Sequence, residues 1–434
     1  RQGRIQPMST ANQRPSWTFS GQSTGDGFGD FLLDVPSRGV YGAGLGILNL
    51  RENAYNLFAT DDFKVTSNLT LNLGVRYELN VPPYDTQIKL VSFWPDRYTR
   101  LGSSESAGVV VGGVTSGVPA ATAFTDKKTI GPRFGFAWSP GGGRTVVRGG
   151  YGIYFDQRTA QVFQQLRANP PLTAVQTLNF AAGGVSDRWA YRVQGLDPNA
   201  LPVPTASSSF TLAAIEKDPR TDTAQQWNLD LQRELPGRIV LQGAYVGTHG
   251  THLFLKRNIN YARPNSAGVF ARPFLGYGAI WYQGNNGNSI YHSGQFTAQK
   301  RFSGGSQFLA AYTISKTLDD AAGTSRYYVN ASGDPDNFRR NRGLSTFDRP
   351  QRLTLSFNLA VPNPFQAGTS PVRHVFAGWE VSGVGLVQSG VPFNVTNSLS
   401  GQAWDGDIGS GGAGFADYVG GNPYTAGSTK QRLR

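Results

Sequence analysis

The sequence has no cysteine and a single methionine, Met8, in 434 residues. Without thiols there is no disulfide framework, no thiolate metal site and no cysteine nucleophile. Charge is scarce too, with Asp, Glu, Lys and Arg at 16% against roughly 25% in an ordinary soluble domain. Long apolar runs are also missing. The best candidate, residues 106–125, is uncharged but broken by Gly108, Gly112, Gly113, Gly117 and Pro119. A spanning helix wants roughly 20 mainly apolar residues, so this stretch reads as a flexible loop bearing Val109, Val110 and Val111. No basic opening followed by an apolar stretch marks a secretion signal, which is expected to lie upstream or to have been removed. Beginning at Arg1, the chain reads as a fragment or a processed piece.

What is abundant points one way. Glycine numbers 55 of 434 residues and aromatics reach 12%; glycine costs about 1 kcal/mol per helical position. Long helices are disfavoured, and an all-β chain is expected. The periodicity agrees. Across residues 69–80, Leu69, Leu71, Leu73, Val75, Tyr77 and Leu79 alternate with Thr70, Asn72, Gly74, Arg76, Glu78 and Asn80. Residues 352–361 repeat the pattern, with Leu353, Leu355, Phe357, Leu359 and Val361 on the apolar side. Such alternation is a strand with one apolar and one polar face.

The connections follow a rule of their own. Tight turns at Thr66-Ser67-Asn68, Pro140-Gly141-Gly142-Gly143, Pro236-Gly237 and Gly304-Gly305, and a longer one containing Pro362, Pro364 and Gly368, join strands into hairpins. Between the hairpins lie long polar segments, about 81–129, 156–221, 251–286 and 318–348. Loops beyond about 12–15 residues are uncommon in compact domains. A transmembrane barrel has this order by construction, short turns on one side and long loops on the other. Closure satisfies every backbone group, which lets a sheet cross a bilayer. Its apolar face meets lipid and its polar face a wet lumen, which accounts for Arg76 and Glu78 inside a strongly patterned strand. Tyr55, Phe63, Tyr77, Trp138, Tyr154, Trp227, Tyr312 and Trp379 are then expected in the interfacial aromatic girdles.

Several strings resemble a known family. Asn56-Leu57-Phe58-Ala59-Thr60-Asp61-Asp62-Phe63-Lys64-Val65 and Leu69-Thr70-Leu71-Asn72-Leu73-Gly74-Val75-Arg76-Tyr77-Glu78 look like the barrel of TonB-dependent, Oar-like outer-membrane proteins. Ile130-Gly131-Pro132-Arg133-Phe134-Gly135-Phe136-Ala137-Trp138, Gln226-Trp227-Asn228-Leu229, Tyr312-Thr313-Ile314-Ser315-Lys316 and Phe347-Asp348-Arg349-Pro350-Gln351-Arg352 are similar. The resemblance runs from about Thr18 to Pro392. It implies an antiparallel barrel of about 22 strands in complete members, placed in the outer membrane of a Gram-negative bacterium. It also implies a signal peptide, a small regulatory-like domain and a plug through which the TonB machinery delivers energy. Roughly ten to fourteen strands are legible here, without a plug, a Ton box or a final strand ending in an aromatic residue. The chain, residues 1–434, is therefore expected to be part of such a barrel.

Candidate chemistry is thin. His249 and His252 form H-G-T-H with no carboxylate nearby, so a polar strand end or loop is favoured over a metal site. His292-Ser293 lacks a nucleophile elbow and continues as strand, so no enzyme is expected. Asp61-Asp62 and Asp319-Asp320 lack the spaced oxygen series of a calcium loop, although a loop site at the second pair is an alternative. Gly42, Gly44 and Gly46 precede no helix pattern and fail as a phosphate loop. Arg339, Arg340, Arg342, Arg349 and Arg352 form the densest basic cluster in a chain of net charge +12. They carry no nucleic-acid motif; in a barrel they read as wet lumen and loop residues, able to meet lipopolysaccharide phosphates or steer anionic cargo.

The resemblance thus implies recognition of a substrate by long external loops and its passage through the lumen, with no cofactor. Arg76, Glu78, Arg339, Arg340 and Arg342 are the candidate substrate contacts. Outer-membrane lipid and lipopolysaccharide, the TonB machinery and an unidentified substrate are the expected partners, and nucleic acid is not. A non-transporting surface protein for adhesion or assembly is the alternative, and a soluble glycan-binding β protein a more distant one.

Overall fold

The computed structural model describes residues 2–5, 16–44, 49–86, 90–102, 107–156, 160–170, 173–182, 210–264, 270–302, 306–320, 342–361, 378–392, 396–397 and 414–415. Its main element is a 13-stranded sheet, eleven strands of which follow one path. In chain order these are β1 (Gln2–Ile5), β2 (Leu50–Thr66), β3 (Leu69–Asp85), β4 (Ile130–Trp138), β5 (Thr145–Asp156) and β6 (Asp222–Leu235). They continue as β7 (Ile239–Asn258), β8 (Tyr277–Arg301), β9 (Gln307–Asp319), β10 (Gln351–Ala360) and β11 (Glu380–Gln388). Each pairs antiparallel with the next, so the wall is a meander. Among the described residues β1 and β11 do not pair, leaving an open arc.

The turns behave as their residues dictate. Gly141, Gly142 and Gly143 between β4 and β5 all take positive φ (60°, 75° and 79°), where a Cβ would be strained. Gly237 does the same between β6 and β7. The link between β10 and β11 lies outside the described residues, as do Gly304 and Gly305.

The register shows which side chains share a face. Leu73 lies opposite Phe134, Phe134 opposite Tyr151, Tyr151 opposite Trp227, and Trp227 opposite Gly247. One residue along, Gly74, Arg133, Gly152, Gln226 and Thr248 form the matching line on the inner face. Outward apolar side chains are left bare: Leu57, Leu73, Val75, Leu229, Leu231, Phe296 and Ile314 are all exposed. A wall built for water would hide them, whereas one facing lipid needs no cover. Three outward rings also cover glycines directly across from them, Phe136 on Gly149, Trp227 on Gly247 and Phe357 on Gly383. A Cβ at any of these glycines would run into the ring, so ring and glycine act as a cross-strand unit that pins the register. The alternation breaks at the edges, where Phe58, Val384 and Leu386 stand exposed on the inner face.

The conventional core lies elsewhere. The long connections, expected to be polar, fold together at one end of the wall. Residues 106–125 do not form a flexible loop: Ala107–Val111 is a strand paired with Val91–Tyr98, and Val109 and Val110 are buried. β7 and β8 run on well past Val246 and Asn286 to carry this cap, and Phe210–Ile215 joins β8 in parallel. Leu50, Leu90, Phe163, Leu166 and Ile215 form one cluster; Phe93, Val109, Ala214, Tyr277 and Ile280 form another. Buried Asn169 knits the pieces. Its Nδ2 donates to Val91 O at 2.6 Å and Ala213 O at 2.7 Å, while its Oδ1 accepts from Ala213 N at 2.7 Å. Those backbone groups would otherwise be orphaned inside the cap.

Beside it stands a three-stranded sheet of Ser16–Thr18, Arg38–Gly44 and Thr173–Asn179. A short helix, Gly27–Leu32, precedes Arg38–Gly44 and is capped by Asp26, whose Oδ2 accepts from Gly29 N at 2.8 Å. No described helix is long and apolar enough to cross a membrane.

Candidate functional site

The inner face of β2–β7 curves around a cavity of about 680 Å³. Its polar lining comes from Asp62, Asn72, Arg133, Tyr154, Gln226 and Asn228, and its floor from Gly74, Gly135, Gly150 and Gly152. With no Cβ on four neighbouring positions, the wall is shallow there and the flanking side chains stand proud of it. The Arg133 guanidinium carbon lies 4.7 Å from the centre of the Tyr154 ring, a cation–π contact. Asn72 Nδ2 donates to Asp62 Oδ1 at 2.5 Å. Further along, Arg148 Nη1 donates to Gln232 Oε1 at 2.8 Å and lies 3.5 Å from Asp230 Oδ1; Gln242 Nε2 donates to Asp230 Oδ2 at 2.5 Å. The surface holds both charge signs, paired, among amides and hydroxyls. Chemically it can bind and guide a polar solute.

Arg76 and Glu78 occupy this face of β3, with Arg76 Nε 2.5 Å from Glu78 Oε1. Arg342 stands at the foot of the β9–β10 connection, with Nη1 3.5 Å from Asp320 Oδ1. Five strands, β4–β8, separate the two groups along the sheet, so the structure does not bring them together. Arg339 and Arg340 lie outside the described residues. Arg349 Nη1 donates to Asp348 O at 3.3 Å, and Arg352 starts the inner face of β10 opposite Thr313.

The remaining candidates have structural roles. His249 and His252 do not lie at a strand end or in a loop, because β7 continues to Asn258. His249 pairs across with Ile290, and exposed His252 takes φ 55° at an irregularity in the β7–β8 register. Ser293 is buried and accepts from Gln295 Nε2 at 3.2 Å, within continuous strand. Asp62 holds Asn72, and Asp61 lies opposite Leu73. Asp320 accepts from Asn288 N at 3.0 Å and Nδ2 at 3.1 Å. Among the described residues no group of three or more His, Asp or Glu side chains is arranged to hold a metal. Gly42 and Gly44 lie in strand Arg38–Gly44, and Gly46 is outside the described residues.

Tyr154 needs a correction. Its register places it on the inner face opposite Ala224, with Arg133, and not in an outer girdle. Tyr151, three residues before it and on the other side of the pleat, is the outward ring. Arg133, Gln226 and Asn228 were not singled out as site residues in the sequence, although their strands' alternation does assign them to the polar side.

Two of the long connections are tied to each other where they lead into the wall. Asp126 Oδ1 accepts from Lys128 N at 3.0 Å, and its Oδ2 from Thr221 N at 2.8 Å, joining the two longest connections just before β4 and β6. Burial acts to raise the Asp126 carboxyl, but these backbone donors, the Thr221 hydroxyl and the Arg220 charge outweigh it and hold it below the ordinary carboxylate value.

A sheet with bare apolar residues outside, paired polar residues inside, short turns at one end and a folded cap at the other is how a chain spans lipid with strands. The sequence model of the outer membrane beta barrel domain matches residues 1–433. The chain belongs to that family. This barrel domain is accordingly placed in the outer membrane. Its fold is similar to the outer membrane transporter YddB from Escherichia coli, with 14% identity over 72% of this chain and 31% of that one, at a TM-score of 0.42. It is also similar to Pseudomonas aeruginosa FpvA bound to pyoverdines, with 14% identity over 76% of this chain and 28% of that one, TM-score 0.37. For the FrpB iron transporter from Neisseria meningitidis the identity is 11% over 75% and 46%, TM-score 0.36. The chain thus spans less than half the length of each, and likenesses at this level carry no argument about activity. Among curated proteins none matches the chain.

Proposed function

We propose that this barrel domain serves a TonB-dependent, Oar-like outer-membrane transporter, binding a substrate at its external cap and passing it along the polar inner wall. The observation that carries the reading is the inner face itself. Asp62, Asn72, Arg133, Tyr154, Gln226 and Asn228 converge from five strands on one cavity, beneath a cap with its own packed core. Arg76 and Glu78 extend that wall, Arg342 stands at the foot of the β9–β10 connection, and Arg339 and Arg340 complete the proposed set of substrate contacts. Energy reaches the lumen through a plug driven by the TonB machinery, and no cofactor or covalent step is involved. Polar surface that repeatedly offers and withdraws hydrogen bonds suits passage, because no single contact is strong enough to trap the solute.

Cells producing the whole protein should accumulate a polar cargo only while the TonB machinery is energised, and Arg133→Ala should reduce that uptake. Uptake unaffected by loss of TonB function would reject the transport reading. The cap's own core also favours a second reading, a surface platform for adhesion or assembly. Removing residues 157–221 would then abolish partner binding and leave uptake untouched.

A further inference from the structure

The outer wall is apolar along most of its height; its polar positions include Asp61 on β2, opposite Leu73, and a cluster on β6–β9 flanked by Gln225 and His249. Trp227, Gly247, His292 and Lys316 follow one another across four strands in direct register. Trp227 covers Gly247, its ring centre 6.0 Å from that of His292. The Tyr245 ring lies nearly parallel to the imidazole with centres 6.1 Å apart, and its Oη lies 2.7 Å from His292 Nδ1. The imidazole thus has two aromatic neighbours, and its Nδ1 is engaged by Tyr245. Exposed Lys316 stands directly opposite it, and Lys316 makes no ion pair among the described residues.

The level of this cluster decides what it meets. Lys316 is nine residues along β9 from Gln307 at the short-turn end. At about 3.3 Å per residue and a tilt of about 40°, that is roughly 23 Å above the turn, at the top of an apolar band roughly 25 Å tall. Below it the outer face is Leu229, Leu231, Leu241, Phe296 and Ile314, all exposed. Half-buried Ile290 and Leu318 close it on the external side. An ammonium, an imidazole and two interfacial rings directly above acyl-chain-facing residues complement a lipid whose anionic group sits at that boundary.

We propose that Lys316, His292, Tyr245 and Trp227 form a seat for the phosphorylated headgroup of an outer-leaflet glycolipid. Lys316 supplies the charge, His292 a directed nitrogen fixed by Tyr245, and Trp227 the apolar edge against the first carbons of the chains. The seat depends on the wall spanning the membrane and not on transport.

The test uses the whole protein in phosphatidylcholine nanodiscs doped with lipid A or with its dephosphorylated form, with native mass spectrometry counting retained glycolipid. The wild type should keep lipid A in preference to the dephosphorylated form. Lys316→Gln should lower that retention about fivefold, the effect of one surface cation worth about 1 kcal/mol. Lys300→Gln, near the short-turn end of β8, should leave it unchanged. Heat-modifiability on gels verifies that each variant is folded, and His292→Gln serves as a second variant if Lys316→Gln is not. Equal retention by wild type and both seat variants, or equal retention of the two glycolipids, would overturn the proposal. Displacement of lipid A by inorganic phosphate at matched phosphate concentration would assign the seat to a soluble anion, and would overturn the lipid assignment as well.

Discussion

The wall and the cap of this barrel domain are made of the same residue types arranged for opposite solvents. In the cap, Phe93, Leu90, Leu166 and Ile280 are fully buried, and Asn169 satisfies the backbone around them. In the wall, Leu57 is 71% exposed and Leu231 53%, and the polar side chains turn inward. A water-soluble fold is driven by removing apolar surface from water, and the cap follows that rule. The wall gains nothing from hiding its leucines, because lipid is as apolar as they are. What it needs is a hydrogen-bond ladder without gaps. The stability of the two parts therefore rests on different interactions, and each should be breakable without the other.

The largest separation is expected from Phe93→Ala. Phe93 touches Phe274 and Tyr277 edge-on, with ring centres 5.0 and 5.4 Å apart, so truncation should cost the cap about 3–5 kcal/mol. Hydrogen exchange should accelerate over Val91–Tyr98 and Ala107–Val111 while heat-modifiability of the wall is retained. Loss of both together would mean that cap and wall fold as one unit. Next comes Leu231→Arg on the outer face, expected to destabilise the membrane-inserted wall by about 2–4 kcal/mol. Denaturant unfolding in lipid vesicles should report it, with exchange in the cap unchanged. The smallest effect concerns the tie between the two longest connections, at Asp126. Because the folded state holds the Asp126 carboxyl below its ordinary value, its contribution is present above about pH 3.9, the unfolded value. That contribution is lost as pH falls through the lowered folded value. Exchange of the Thr221 and Lys128 amides should quicken over that acid window, and in Asp126→Asn this acid step should be absent.

Legibility in the sequence differed between the two regions for the same physical reason. Strand β3 announces itself, since Leu69 to Leu79 alternate without a break and the register with β4 places each apolar side chain outward as read. Two of the hairpin turns are equally plain, with Gly141, Gly142, Gly143 and Gly237 standing where φ is positive. Tyr154 departs from the girdle expected of a ring near a strand end, because its position in the alternation puts it on the inner face. The cap leaves no such local trace. Val91, Val109, Leu212 and Ile280 come from four separate stretches, each too short to show a period, and their surroundings are rich in glycine and proline. Residues 106–125 therefore looked like a loop.

The wall is written into the local sequence. A period of two is local, so each strand carries in its own residues the instruction for which face meets lipid and which the lumen. The cap, the cavity of Arg133, Tyr154, Gln226 and Asn228, and the meeting of Tyr245, His292 and Lys316 come from long-range pairing. Those groups lie far apart in the chain, and only strand register, a property of pairs of strands, brings them within reach of one another.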